Sequence, residues 1–377
     1  MMARARPAWT SALLLFLAAC GSGGEPIQIG VAGPLQQSNG RSMRLAAEMA
    51  AEEINRDGGV RGRAIELVFK DDQADPEMAI EVAAELRDDS RVVAVIGHIT
   101  SGTTLAAARV YNTGDGLAAV SPASSSPEVT EAGPWTFRVC PSDLEHSPAL
   151  AEWTRDVLGR SQVAVMYTND AYGRGVMRTF AEAFRADGSR LVSWSPYLNE
   201  VIDSDSAVDP FIIRAMQRGM RALMIAGQAD GAEKIIRAAR RLGYTGPVLG
   251  ADGLTGLKDA GEIAEGVFIS SAFLPDGSSQ EARRFVAAYQ ELHGELPDHR
   301  GAMTYDALYL LARAIREAGS GRGAIRDYLE TVGRSTDPFE GVSGTITFDE
   351  NGDVVGKEVT IGVVRDGNLV TADRAGA

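Results

Sequence analysis

The chain has 377 residues, 45% of them hydrophobic and 23% charged. That is too long for one ordinary core, long enough for two lobes, and too apolar for a mostly disordered chain. With 37 basic and 51 acidic residues the net charge is −14, and two charges more negative without Arg4 and Arg6, so nucleic acid and anionic membrane surfaces are poor partners.

Residues 1–20 read as a targeting segment. Arg4 and Arg6 make a positive start, and the apolar run Trp9–Ala19 is too short to span a bilayer. Leu17-Ala18-Ala19-Cys20 resembles a bacterial lipobox, in which Cys20 is lipidated and becomes the mature N-terminus. The alternative is a plain secretory leader with an incidental cysteine. Gly21–Pro26 then serves as a flexible tether. Cys140 is the only other cysteine, so a lipidated chain has no disulfide, and a cysteine metal site or redox pair is excluded.

The fold region opens with a strand, Ile27–Val31, and the loop GPLQQSNGRS. A helix with Leu45, Met49 and Ile54 on one face follows and stops at Asp57-Gly58-Gly59. Ile65–Phe69 is a second strand, and the loop Lys70–Pro76 caps an Ala- and Glu-rich helix. Val92–Ile96 is the third strand, ending at Gly97 before a hydroxyl-rich helix start that runs to Tyr111, and Leu117–Val120 is the fourth. Thr136–Val139 reads as a crossing, after which strands Val163–Tyr167, Leu191–Tyr197, Ala222–Ile225, Val248-Leu249 and Val267–Ile269 alternate with helices. The spacing predicts an α/β protein of two Rossmann-like lobes with mainly parallel sheets. Helices Gln280–His293, Ala302–Ala318 and Ala324–Val332 return to cover the first lobe. Thr345–Phe348 and Val359–Val364 flank Asp349–Asp353, a turn cluster typical of a hairpin.

In open α/β sheets ligands lie beyond the carboxyl ends of strands, which directs attention to the loops there. After the third strand, Ser101, Thr103 and Thr104 gather beside a helix N-terminus whose unpaired N–H groups suit a small carboxylate. Ser101 is equally readable as a plain N-cap. The proline-bounded loop SPASSSPE adds Ser124, Ser125 and Ser126, ordinary residues for a surface loop. Asp252 is an ammonium partner or a turn residue before Gly253; Tyr172 covers a ligand or packs against its lobe. Asn39 and Gln228 leave equivalent strand exits. Hydroxyls and helix N–H groups on one lobe and a carboxylate on the other suit a zwitterion, most simply an α-amino acid.

The stretches AAEEINRDGGVRGRAIELVFKDDQADP (Ala50–Pro76), VIGHITSGTT, SPASSSPE and NDAYGRG, with the spacing among them, resemble the type I periplasmic solute-binding proteins of the leucine/isoleucine/valine-binding group, over roughly Ile27–Val364. The resemblance implies a first lobe from 25–141 and 273–348, a second from 142–272 and 357–377, and a multi-strand hinge near 138–143, 270–275 and 348–357. It implies that Ser101, with Ala123 and Ser125, holds the carboxylate and amine, that Asp252 pairs with the ammonium and that Tyr172 lines the cleft, with Thr100 and Ser124 beside them. Asn39 and Gln228 stand where the branched-chain binder has tyrosines, which implies a more polar side-chain pocket. Asp252 is one methylene shorter than that protein's glutamate, and Ala74 and Thr100 replace its disulfide. The implied function is a monomeric, lipid-anchored, extracytoplasmic receptor that needs no cofactor and delivers its ligand to an ABC permease. A sensor of the same fold, or a binder of an aromatic or organic acid or an amide, stays open.

Enzymatic alternatives lack their patterns. Ser101 lies in Ile99-Thr100-Ser101-Gly102-Thr103 and not in Gly-x-Ser-x-Gly. His98, His146, His293 and His299 have no metal-ligand or acid–base partner at a recognisable spacing, and the first strand leads into GVAGPLQQSNG, not Gly-x-Gly-x-x-Gly.

Overall fold

The structure, a computed structural model, describes residues 24–185, 188–199, 206–277 and 279–374. The leader and Cys20 lie outside the described residues. The first sheet is built from β1 (Ile27–Gly33), β2 (Ile65–Asp71), β3 (Val92–Gly97), β4 (Ala119–Ser121) and β5 (Thr136–Arg138), in the order β2-β1-β3-β4-β5, all parallel. β1 and β3 are buried along their whole length, which is why they read as apolar runs without alternation. Helices α1 (Ser38–Arg56), α2 (Pro76–Asp88) and α3 (Ser101–Tyr111) connect these strands.

The second sheet holds β6 (Gln162–Thr168), β7 (Arg190–Tyr197), β8 (Ala222–Ala226), β9 (Val248–Gly250) and β10 (Phe268–Ser271) as parallel strands. Helices α4 (Asp143–Glu152), α5 (Ala171–Phe184), α6 (Asp209–Gln217) and α7 (Ala229–Arg241) accompany it. The chain then returns to the first lobe through α8 (Gln280–His293), α9 (His299–Ala318) and α10 (Arg322–Leu329). On α9 Met303, Leu308 and Leu311 join the β1–β3 core, while Phe285 and Tyr289 of α8 pack on Ala46 and Met49 of α1, as the sequence predicts.

Three expectations are corrected. Thr136–Arg138 is a paired edge strand, and the crossing comes after it. The predicted hairpin partners lie in different sheets. β12 (Gly344–Ile346) pairs with β11 (Phe339–Gly341), whereas β13 (Thr360–Arg365) pairs antiparallel with β10 and with β14 (Asn368–Thr371) in the second lobe. The Asp349 turn is real, since its carboxylate accepts from the N–H groups of Asn351 and Asp353, but only Phe348 and Val354 bridge across it. Finally, Asn39 is helical: α1 begins at Ser38, and Gly40 permits this because a Cβ there would meet the Pro34 carbonyl at 2.2 Å.

The buried apolar clusters divide cleanly. One set draws on residues from Ile27 to Cys140 and from Phe273 to Val354, the other on Leu150 to Ile269 with Leu274, Ile361, Val364 and Leu369. Each lobe thus closes its own core. Lobes that share no apolar core are free to move against each other.

Candidate functional site

On the first lobe, β3 ends at Gly97 and α3 begins at Ser101. The N-cap is Thr100 and not Ser101: the Thr100 hydroxyl accepts from the Thr103 N–H at 3.2 Å. Ser101, one residue inside the helix, accepts instead from the Ser126 N–H at 3.2 Å and so ties the two hydroxyl-rich loops together. The N–H groups of the first turn have no acceptor within the helix. Ser124 is occupied internally. Its hydroxyl meets Thr104 Oγ1 at 2.6 Å and the Ile99 carbonyl at 3.1 Å, and its N–H donates to Ser121 Oγ.

Arg138, 1% exposed at the end of β5, holds this loop from below. Its guanidinium donates to the carbonyls of Ser124 and Ser126, to Thr130 Oγ1 and to Asp353 Oδ2 at 2.6 Å. Ser125 is fully buried with an unpartnered hydroxyl. Beside it Asp143, also fully buried, has both carboxyl oxygens without a hydrogen bond of normal geometry. Burial, reinforced by the Asp252 charge, pushes its carboxyl well above the usual carboxylate range.

On the second lobe Asp252 follows β9 at the head of a 13-residue 3-10 segment kinked at Gly261 and is 3% exposed. Tyr172, in the first turn of α5, donates its hydroxyl to Asp252 Oδ1 at 2.9 Å and accepts from the Gly253 N–H at 2.8 Å. Gly253 must be glycine, since a Cβ would lie 2.6 Å from the Tyr172 hydroxyl and 2.5 Å from the Gly227 carbonyl. Two histidines face the other carboxylate oxygen: His146 Nε2 at 4.0 Å and His299 Nε2 at 3.8 Å. Neither Nε2 has a hydrogen-bond partner. Burial and the neighbouring Arg300 charge lower His299 to about 4, and burial lowers His146 also. With both histidines neutral at neutral pH, the side-chain hydrogen bond to Asp252 among the described residues comes from the Tyr172 hydroxyl.

These elements surround a narrow, partly open cleft between the lobes, with room for about one water molecule between their side chains. Ile99, Thr100, Ser101 and Ala123 face it from the first lobe's sheet, Tyr172, Gln228, Asp252 and Gly253 from the second, and His299 and Arg300 from the start of α9. Of the residues singled out by sequence, Thr100, Ser101, Ala123, Tyr172, Gln228 and Asp252 line it. Ser124 and Ser125, both fully buried, and Asn39 are not among its lining residues. His146, His299 and Arg300 were not legible as site residues. The signal for the last two was Asp298, which caps α9 through the Gly301 N–H at 3.0 Å and so draws His299 and Arg300 into the helix start. Among the described residues no three His, Cys, Asp or Glu side chains converge as a metal would require.

A family model described as periplasmic binding protein matches residues 26–368. The chain belongs to the periplasmic binding protein family. This binding protein is 28% identical to an amino acid binding protein of Pseudomonas aeruginosa over 342 residues, 87% of each chain. It is 30% identical to a solved leucine-binding protein from Thermotoga maritima, covering 92% of this chain and 98% of that one with a TM-score of 0.83. An ABC transporter substrate-binding protein from Desulfitobacterium hafniense, solved in complex with leucine, is 30% identical with a TM-score of 0.80 and covers 93% and 100%. This is a type I solute-binding protein of the branched-chain amino acid group, two-lobed and not an enzyme. Among its described residues no helix is long and apolar enough to cross a membrane.

Proposed function

We propose that this binding protein captures an α-amino acid as its zwitterion and delivers it to an ABC permease, acting outside the cytoplasm as a monomer tethered by a lipid on Cys20. The observation that carries the reading is the opposition of polarity across the cavity: the α3 N-terminus with Ser101 on one lobe, the buried Asp252 on the other. A carboxylate at Ser101 takes up the free first-turn N–H groups and the positive helix end. An ammonium at Asp252 supplies the cation that carboxylate lacks. Each end of the ligand is thus held by a different lobe. Only the closed form makes both contacts, and that difference in affinity is what drives hinge closure.

Calorimetry and thermal shift on residues 21–377 test this, using α-amino acids beside the matching acids without the amine. A ligand at 100 times its dissociation constant adds about 2.7 kcal/mol to the folded state, a shift of several degrees. Binding that requires both the amine and the carboxylate is expected. Equal binding of the deaminated acids takes the ammonium role from Asp252.

A further inference from the structure

Resting on the zwitterion reading, we infer that Arg300 and Gln228 form a side-chain subsite for a neutral polar group, so that the captured amino acid carries a carboxamide and not a branched aliphatic chain. The cavity wall offers little to an aliphatic group. Ile99, Ala123 and the Tyr172 ring are its apolar groups, and each buried CH2 contributes about 0.8 kcal/mol only where apolar atoms receive it. The opposite edge is polar. The Gln228 side chain begins α7 without capping it and faces the cavity with one acceptor and two donors.

Arg300 is 4% exposed and uses one end of its guanidinium within the protein: Nη1 donates to Thr255 Oγ1 at 2.9 Å and to Asp298 Oδ2 at 3.1 Å. Its Nε is buried without a partner. A guanidinium has five N–H donors, so the subsite has donors to spare. A buried polar group left unpaired is costly, and a ligand carbonyl removes that cost.

Charge decides between an amide and a carboxylate. Asp298 already neutralises Arg300 at 3.1 Å; burial favours its protonated form, but Arg300 and His299 outweigh this and hold the Asp298 carboxyl below its ordinary range. His299 and His146 are neutral at neutral pH. The ligand's ammonium takes Asp252 and its carboxylate takes the α3 N-terminus. No charge remains for a third ionised group, whereas an amide finds donors on Arg300 and both donor and acceptor on Gln228.

The test is calorimetry with L-glutamine, L-asparagine, L-glutamate, L-methionine and L-leucine on the wild type, Arg300→Met and Gln228→Met. The tighter of the two amides is expected to bind at least tenfold more tightly than methionine. Arg300→Met is expected to cut that ratio at least tenfold, and Gln228→Met three- to tenfold, the latter standing alone if Arg300→Met does not fold. The ratio is the readout because a purely structural role for Arg300 would weaken both ligands together. Wild-type preference for leucine or methionine, glutamate binding more tightly than glutamine, or a ratio unmoved by the substitutions overturns the subsite and leaves the zwitterion reading intact. Absence of binding by every α-amino acid overturns both.

Discussion

The two walls of the cavity are made in opposite ways. On the first lobe most polar side chains bond one another: Ser121, Ser124 and Thr104 lace the loops together, Arg138 grips the carbonyls beneath, and Ser101 braces Ser126, which leaves the Ser125 hydroxyl and the first-turn N–H groups of α3 open. On the second lobe a buried carboxylate has one tyrosine donor, and two neutral histidine nitrogens face it without bonding. The first wall is braced by its own hydrogen bonds, whereas the second holds a buried acid with one side-chain donor. In the proposed mode of capture the first lobe fixes shape and the second carries most of the dependence on ligand chemistry.

The contrast breaks most visibly at Arg138. Arg138→Met strips a buried cation from Asp353 and from two carbonyls, and unfolding measurements should show a loss of about 3–5 kcal/mol in the ligand-free protein. A loss under 1 kcal/mol would mean the first wall does not depend on that grip. Asp252→Ala should do the reverse, weakening an amino-acid ligand by about 2–5 kcal/mol in calorimetry while leaving the ligand-free stability unchanged or higher. Unchanged affinity removes Asp252 from the site.

A pH series sharpens the same contrast. The folded-state value of His299, about 4, lies below its ordinary 6.5, so between those values the unfolded chain takes up a proton that the folded chain refuses. Stability from this group is present above 6.5 and is lost as pH falls toward 4, by up to about 1.4 kcal/mol per pH unit. His299→Gln removes the titration, so the stability difference between variant and wild type should move in the variant's favour across that window. A difference independent of pH would place His299 in water. The smallest effect expected is Ser101→Ala, about 1–2 kcal/mol in affinity, because the helix N–H groups still face the ligand. If its whole cost appears in ligand-free melting, Ser101 only braces Ser126.

The same division explains what the sequence discloses. The first wall is local: a strand stop at Gly97, a helix start and a serine loop lie within thirty-odd residues of chain, and α3 ends at Tyr111 where its periodicity says it should. Even there the cap falls on Thr100, because two adjacent hydroxyls are equivalent in pattern and only backbone geometry separates them. The second wall joins β9, α4 and α5 and is met by the start of α9 from the first lobe, so Asp252 and Tyr172 became neighbours only through the family resemblance, and His146 and Arg300 through none. The Thr345 and Val359 strands misled for a related reason. A turn signal reports that the chain bends, not which sheet receives it: after Asp349–Asp353 the chain folds back as far as Val355 and only then crosses to the other lobe, where β13 pairs with β10.

Arg138 stands at the last residue of β5 and grips Asp353, while its own N–H donates to the Gly352 carbonyl on a second connecting segment. The ligand loop and two of the segments that join the lobes are therefore one mechanical part. In the proposed mode of capture, a solute meets a half-site that already has its final form, so its arrival is a simple encounter whose rate follows the accessibility of the first lobe, and its departure waits on the swing of the second. On that proposal exchange is governed from two separate places, entry at Ser101 and residence time at Asp252.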